Sequence, residues 1–334
     1  MLRRSFLQLG LAGLAAPALI GRTAAIAAET TETKFAVTYF DIPAIKGSRD
    51  VTDAGDGTLW VCGQRNGTLG RFDPRSGQLK VVELGRGAAP HGVIRGPDGA
   101  AWVTEGGQNA IARVDDKTHE VELFKLPEGR ARANLNTGVF DKSGILWFTG
   151  QNGIIGRFDP KTRKMEVWDA PRGPGAYGIT LTPSGEVWYA SLAGNHIAMI
   201  DTGTAQVTVV EPPTPGQGAR RVWSDSKNRV WVSEWNSGNV SAYDTLSKSW
   251  KTWKLPGDKP RTYSVYVDDA DKVWLTDFSA NAIVHFDPVT EAFNSFPSDK
   301  AGANVRQMDG RSGEAWGGES GNDRLVRIQT VKQA

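Results

Sequence analysis

The chain has 334 residues, among them 39 glycines and 12 tryptophans, with 39% apolar and 23% charged side chains. That mixture excludes a disordered chain, a collagen-like rod and a bundle of membrane helices. Thirty-nine basic against 37 acidic residues give a formal charge of +2, too even for a protein whose work is gripping nucleic acid.

Residues 1–27 read as an export leader. Arg3 and Arg4 precede Ser5-Phe6-Leu7, a Gly/Ala-rich apolar run follows, and Ala25-Ile26-Ala27 offers an A-x-A cleavage site. The run is too short to span a bilayer, and the paired arginines ahead of a mildly hydrophobic core resemble a twin-arginine signal. Cleavage after Ala27 leaves 36 basic and 37 acidic residues, and the expected compartment of the mature protein is the bacterial periplasm. Cys62, the single cysteine, can form no internal disulfide and reads as a packing residue within an apolar strand.

From Lys34 onward the sequence repeats. Trp60, Trp102, Trp147, Trp188, Trp231, Trp274 and Trp316 follow one another at intervals of 42, 45, 41, 43, 43 and 42 residues, which predicts seven units of about 43 residues. The second unit predicts four short strands, at 91–96, 100–105, 110–114 and 120–124, separated by turns such as Pro97-Asp98-Gly99. Such a unit cannot bury both faces alone and must stack on copies of itself, the logic of a propeller blade. The segment 34–40 resembles a fourth strand with no first three before it, while the last unit stops after a third strand at 324–328. The N-terminal strand is therefore expected to complete the seventh blade of an all-β, seven-bladed propeller of four antiparallel strands per blade, one domain over residues 34–329.

A turn centred on Asp98 sets His91 directly opposite Glu105, and the same separation pairs Arg49 with Gly63, Asn136 with Gly150, Tyr177 with Ser191, Arg220 with Glu234, Tyr263 with Asp277, and Val305 with Glu319. These pairs are expected to ring one mouth of the central channel. Arg220 with Glu234 reads as a cross-strand ion pair, or else Glu234 and Asp277 offer two carboxylates to a metal. The loops opening on the same mouth carry Lys46, Arg86, Arg130, Arg132, Arg172, Lys259, Arg261 and Lys300 against Glu128, Asp258 and Asp299, a basic rim suited to a carboxylate or phosphate ligand. His119, His196 and His285 fall on outer turns or third strands and read as structural or exposed.

The repeated frame PHG(V/I)-x4-DG-x2-W-(V/F)-TE-x3-N-x-I-x-R(V/I/F)D resembles the streptogramin lyase (virginiamycin B lyase) family, across all seven units. The resemblance implies a seven-bladed propeller and, for active members, magnesium-assisted β-elimination that opens the ester bond of a cyclic depsipeptide antibiotic. It also implies roles for His91 as general base and Glu105 as a Mg²⁺ ligand, chemistry that suits an imidazole near neutral pH and a hard oxygen donor. Arg49 stands where active members carry a second histidine, and Ala89 where they carry an acid. Two functions follow: a lyase of this type, or a non-catalytic propeller that binds an anionic ligand or protein partner through Arg130, Arg132 and Arg220. A lactonase-type site built from Asn136, Glu105, Glu234 and Asp277 is the weaker third. The expected partner is a small-molecule or peptide-like ligand, with no nucleic acid and no membrane span, and the expected state is a monomer.

Overall fold

The computed structural model describes residues 34–129 and 131–331. The expected leader and Arg130 lie outside the described residues. Among the described residues, 28 strands form seven separate four-stranded antiparallel sheets, each built from consecutive strands except the last. There, the N-terminal strand Lys34–Asp41 pairs along its whole length with Arg324–Val331, from Lys34 opposite Val331 to Asp41 opposite Arg324. This is the closure the unmatched terminal strands predict, and it leaves no open edge between the chain ends. Among the described residues no helix is long and apolar enough to cross a membrane.

The seven first strands contact one another around the axis: Ser48–Asp53, Pro90–Arg95, Leu135–Phe140, Ala176–Leu181, Ala219–Ser224, Thr262–Val267 and Val305–Arg311. The third strands are nearly as buried, whereas the fourth, such as Val121–Lys125 and Ser249–Lys254, are half-exposed. Apolar side chains fill the space between adjacent blades. One such cluster joins Trp60, Cys62 and Leu69 of the first blade to Val93, Val103 and Ala112 of the second.

The recurrent frame residues each hold a specific joint. Six of the seven repeat tryptophans donate their indole N–H to an acid of the preceding turn, for example Trp102 to Asp98 at 3.0 Å, Trp147 to Asp141 at 2.8 Å and Trp231 to Asp225 at 2.8 Å. A buried indole that kept its donor unpaired would forfeit part of its burial energy. The repeated asparagine stitches one blade to the next: Asn109 Oδ1 accepts from the Ala133 amide at 2.9 Å, Asn195 from Gly218 at 2.8 Å and Asn281 from Ala303 at 2.8 Å. Asn109, Asn195 and Asn281 all have φ between 50° and 56°, a left-handed conformation that Asn tolerates better than most residues.

One register expectation fails in a consistent way. All seven first strands begin one residue earlier against their neighbour than a plain hairpin allows, and in six of them this overturns the expected pair: Pro90, not His91, lies opposite Glu105, and Ser48, Leu135, Ala176, Ala219 and Thr262 take the places expected for Arg49, Asn136, Tyr177, Arg220 and Tyr263. Val305 does oppose Glu319. The cause is a bulge near the start of every first strand, where the inner strand carries an extra residue.

The bulges have a chemical partner in the repeat. The Thr or Ser before the acid of the second strand accepts a bulge amide and donates to a carbonyl of the next blade. Thr104 takes the Gly92 amide at 2.9 Å and reaches Asn136 O at 2.6 Å. Ser233 likewise takes the Arg221 amide at 3.0 Å and reaches Tyr263 O at 2.7 Å. Backbone groups that the bulge removes from the ladder are thus paired again inside the core.

Candidate binding site at the channel mouth

A bulge presents two successive residues to the channel rather than one. The upper ring is therefore Arg49, His91, Asn136, Tyr177, Arg220, Tyr263 and Arg306. Below it lie Asp50, Thr137, Arg221, Ser264 and Gln307, with Gly92 and Gly178 between them. The two glycines leave room: a Cβ on Gly178 would stand 2.7 Å from Arg221 Cα, and one on Gly92 2.7 Å from Asn136 O.

In the upper ring the side chains converge. Tyr177 and Tyr263 share a hydroxyl–hydroxyl hydrogen bond at 2.5 Å, Arg220 donates to Tyr177 at 3.0 Å, and Arg49 donates to Tyr263 at 3.4 Å and to Gln64 at 2.8 Å. The Arg220 guanidinium also lies 3.6 Å from the Tyr263 ring centre, 4.5 Å from Trp235 and 4.9 Å from Tyr177. Arg306 reaches the Tyr263 and Phe278 rings at 5.6 and 5.7 Å, and Phe278 stacks on Tyr263 at 4.7 Å. Cation–π contacts of this kind fix a guanidinium without neutralising it. Burial alone would raise the Tyr263 phenol, but Arg49, Arg220 and Arg221 together with the Tyr177 hydrogen bond hold it at about 7.

His91 is buried, and its Nε2 is hydrogen-bonded to the Arg49 guanidinium. Burial first, then Arg49 and Arg221, push its pKa well below the usual imidazole value. Because a guanidinium is always a donor, Nε2 must accept, which spends the lone pair of the neutral ring and places its proton on Nδ1.

Glu105 does not face His91 across the ladder. Its Oε1 accepts the amides of Ala89 at 2.6 Å, Gly107 at 2.8 Å and Gln108 at 3.4 Å, tying the incoming loop to the end of the second strand. Burial raises its carboxyl, against those amides. The equivalent acids act alike: Asp277 accepts from the Arg261 and Ser279 amides, both at 2.9 Å, and Glu234 from the Ser237 and Ser241 hydroxyls. The expected Arg220–Glu234 ion pair is absent among the described residues, because the bulge turns Arg220 onto Trp235 instead.

The rim expectation divides. Lys46 pairs with Asp323 at 3.3 Å, Arg172 with Glu211, and Lys300 with Asp41 at 3.8 Å, so their charge is partly answered locally. Arg132 turns to the Gly106 carbonyl at 3.4 Å and Arg261 lies 5.0 Å from the Trp235 ring. Arg306, Trp235 and Phe278 are the members that sequence reasoning missed. Arg306 was marked by position, one repeat after Tyr263, whereas the two aromatics follow the acids Glu234 and Asp277 at a position that carries no recurring residue type.

A model of the virginiamycin B lyase family matches residues 20–261. The chain belongs to that family. Among curated proteins no sequence relative is found. The virginiamycin B lyase fold is equally clear in solved structures. A streptogramin B lyase is 19% identical with a TM-score of 0.81, covering 89% of this chain and 98% of that one. A catalytically inactive histidine-to-alanine variant of virginiamycin B lyase from Staphylococcus aureus with quinupristin is 20% identical with a TM-score of 0.82, covering 89% of this chain and all of that one. The WD40 propeller domain of Doa1, 13% identical with a TM-score of 0.72 over 90% of this chain and 98% of that one, shares the architecture.

The magnesium ion implied by the family resemblance needs oxygen ligands, usually one or two carboxylates with waters. Among the described residues no three His, Cys, Asp or Glu side chains are grouped to hold a metal ion. One oxygen of Glu105 is committed to backbone amides while the other stands alone, without a second carboxylate among the described residues, and the Arg49 guanidinium occupies the His91 imidazole. As arranged, these residues do not fit the ion.

Proposed function

We propose that this virginiamycin B lyase family member is an exported, periplasmic propeller whose mouth binds an anionic small-molecule or peptide-like ligand. The observation that carries this reading is Arg220 and Arg306, both partly exposed, held by aromatic rings and free of any ion pair among the described residues. Their rotamers are fixed in advance, so less entropy is lost when a carboxylate docks, and a guanidinium fork accepts a carboxylate through two parallel hydrogen bonds. Trp235 and Phe278 supply an aromatic wall beside the charge. His91, neutral and tied to Arg49, packs against Tyr177 in the same ring.

N-acetylphenylalanine, a carboxylate with one aromatic ring, is a suitable probe, and its methyl amide is the uncharged control. Calorimetry should give at least tenfold tighter binding of the acid, weakened by salt and lowered about tenfold by Arg220→Ala or Arg306→Ala. Equal binding of acid and amide would overturn the reading.

Family membership favours elimination as the second reading. It requires Arg49 to leave His91, so that the imidazole recovers a lone pair for the proton next to the substrate carbonyl. Turnover of a streptogramin B depsipeptide, lost in His91→Ala, would establish it in place of simple binding.

A further inference from the structure

Beneath the upper ring the channel opens into a cavity of about 200 Å³, lined by the lower halves of the first strands. That is well above the ~30 Å³ share of one water and below the ~300–1,000 Å³ of drug-sized pockets. Its walls are largely apolar, with Val93, Val139, Ile179 and Val222, and its polar groups are few and placed at two levels. At the roof, Arg221 is 1% exposed; it donates to Thr137 at 2.5 Å and to Asp50 at 3.3 and 3.4 Å. At the floor, Asp309 accepts from Thr52 at 2.6 Å and from the Gly310 amide at 2.8 Å.

Two features of this lining are unresolved by the fold itself. Gln307, 8% exposed, has its Oε1 without a hydrogen-bond partner, as does Nε of Arg221. Buried polar atoms in a native core are nearly all paired, so an orphaned acceptor bordering an open cavity calls for a partner. The second is charge. Asp50 and Arg221 answer each other, whereas Asp309 has hydrogen bonds but no ion pair among the described residues. The nearby Arg311 is engaged with Asp53 at 3.3 Å and Glu314 at 2.7 Å. The cavity therefore carries one unbalanced negative charge, an unpaired acceptor, apolar walls and, in Trp223, an indole face.

We propose that the lower channel is a second binding site, separate from the mouth, for a small primary amine with an apolar body. Its ammonium would donate to Asp309 and to Gln307 Oε1, and its hydrocarbon would lie along Val139, Ile179 and Trp223. A desolvated ammonium is stable only when paired and hydrogen-bonded, and these two acceptors supply both needs. Burial and the neighbouring Asp53 charge push the Asp309 carboxyl up to about 6, so it is ionised at neutral pH and gains most from a cation beside it.

The test uses the mature protein at pH 7.5 with benzylamine as probe and benzyl alcohol as its uncharged analogue. Calorimetry should show saturable benzylamine binding at least tenfold tighter than the alcohol, weakened tenfold or more by Asp309→Asn and severalfold by Gln307→Leu. An excess of N-acetylphenylalanine at the mouth should leave it unchanged. Alcohol binding as tight as the amine, an Asp309→Asn variant of full affinity, or competition by the mouth ligand would each overturn the proposal. If Asp309→Asn does not fold, the amine–alcohol comparison on the unaltered protein decides. Crystals soaked in benzylamine should show the ring against Trp223; ordered waters alone would also overturn it.

Discussion

The upper and lower halves of the channel are built from the same seven strands, yet they solve opposite problems. The upper half is crowded with cations and aromatics: Arg49, Arg220 and Arg306 meet Tyr177 and Tyr263. The lower half is open and acid-bearing, with Asp309 at its floor. Between them Arg221 and Asp50 form a buried pair reaching from the fifth blade to the first. One bulge repeated around the ring thus yields two chemically distinct chambers, because the bulge residue and its successor vary independently from blade to blade.

The largest expected effect comes from removing the divider. Arg221→Met leaves buried Asp50 with only the longer contact to Arg49 at 3.9 Å, and breaking such a buried pair costs about 3–5 kcal/mol where no second partner remains, so a loss of about 2–4 kcal/mol is expected. Urea denaturation should show that loss, and Asp50→Asn in the same chain should recover part of it. A loss under about 1 kcal/mol would mean the two chambers do not depend on this pair. Next is Glu105→Ala, which strands the Ala89 and Gly107 amides and should cost about 2–3 kcal/mol. Arg220-dependent binding of N-acetylphenylalanine should persist in that variant if Glu105 acts as a loop clamp.

A smaller effect separates the chambers by pH. Tyr263 is deprotonated more easily in the folded protein than in the unfolded chain, where a phenol titrates near 10. The unfolded state therefore holds more protons between pH 7 and 10, and stability should rise with pH through that window and be lost as pH falls through about 7. Phenolate absorbance should show a midpoint near 7 that disappears in Tyr263→Phe. The effect least felt at neutral pH belongs to His91. Its folded pKa is depressed, so the unfolded chain takes up its proton first and stability should decline as pH falls below about 6.5. His91→Gln should flatten that decline in an acid titration of the melting temperature.

Blade number, strand order and ring closure were legible in the sequence because tryptophan spacing and turn residues repeat with the backbone period. The tier of channel residues was legible for the same reason. What the sequence concealed was register. A hairpin count from Asp98 assumes an uninterrupted ladder, and nothing in PHGVIR announces a bulge; the Thr or Ser before the acid, as at Thr104, Ser233 and Thr276, was its marker. This one-residue slip moved Glu105 from partner of His91 to clamp of the Ala89 loop, and it hid Arg306 behind Val305. Trp235 and Phe278 were invisible for another reason: the equivalent positions in other blades hold Gln64, Gly106, Gln151, Leu192 and Ser320, so no pattern singles them out.

The pairing of Lys34 with Val331 also sets the order of events in folding. Joining segments almost 300 residues apart costs about 5 kcal/mol in chain entropy, and nothing returns that cost until both strands exist. Individual blades, made of neighbouring hairpins, can form while the chain is still being synthesised; the ring can lock only afterwards. Contacts of such long range slow folding, so the unlocked ring, with its last blade one strand short, is the species most exposed to pairing with another chain's edge.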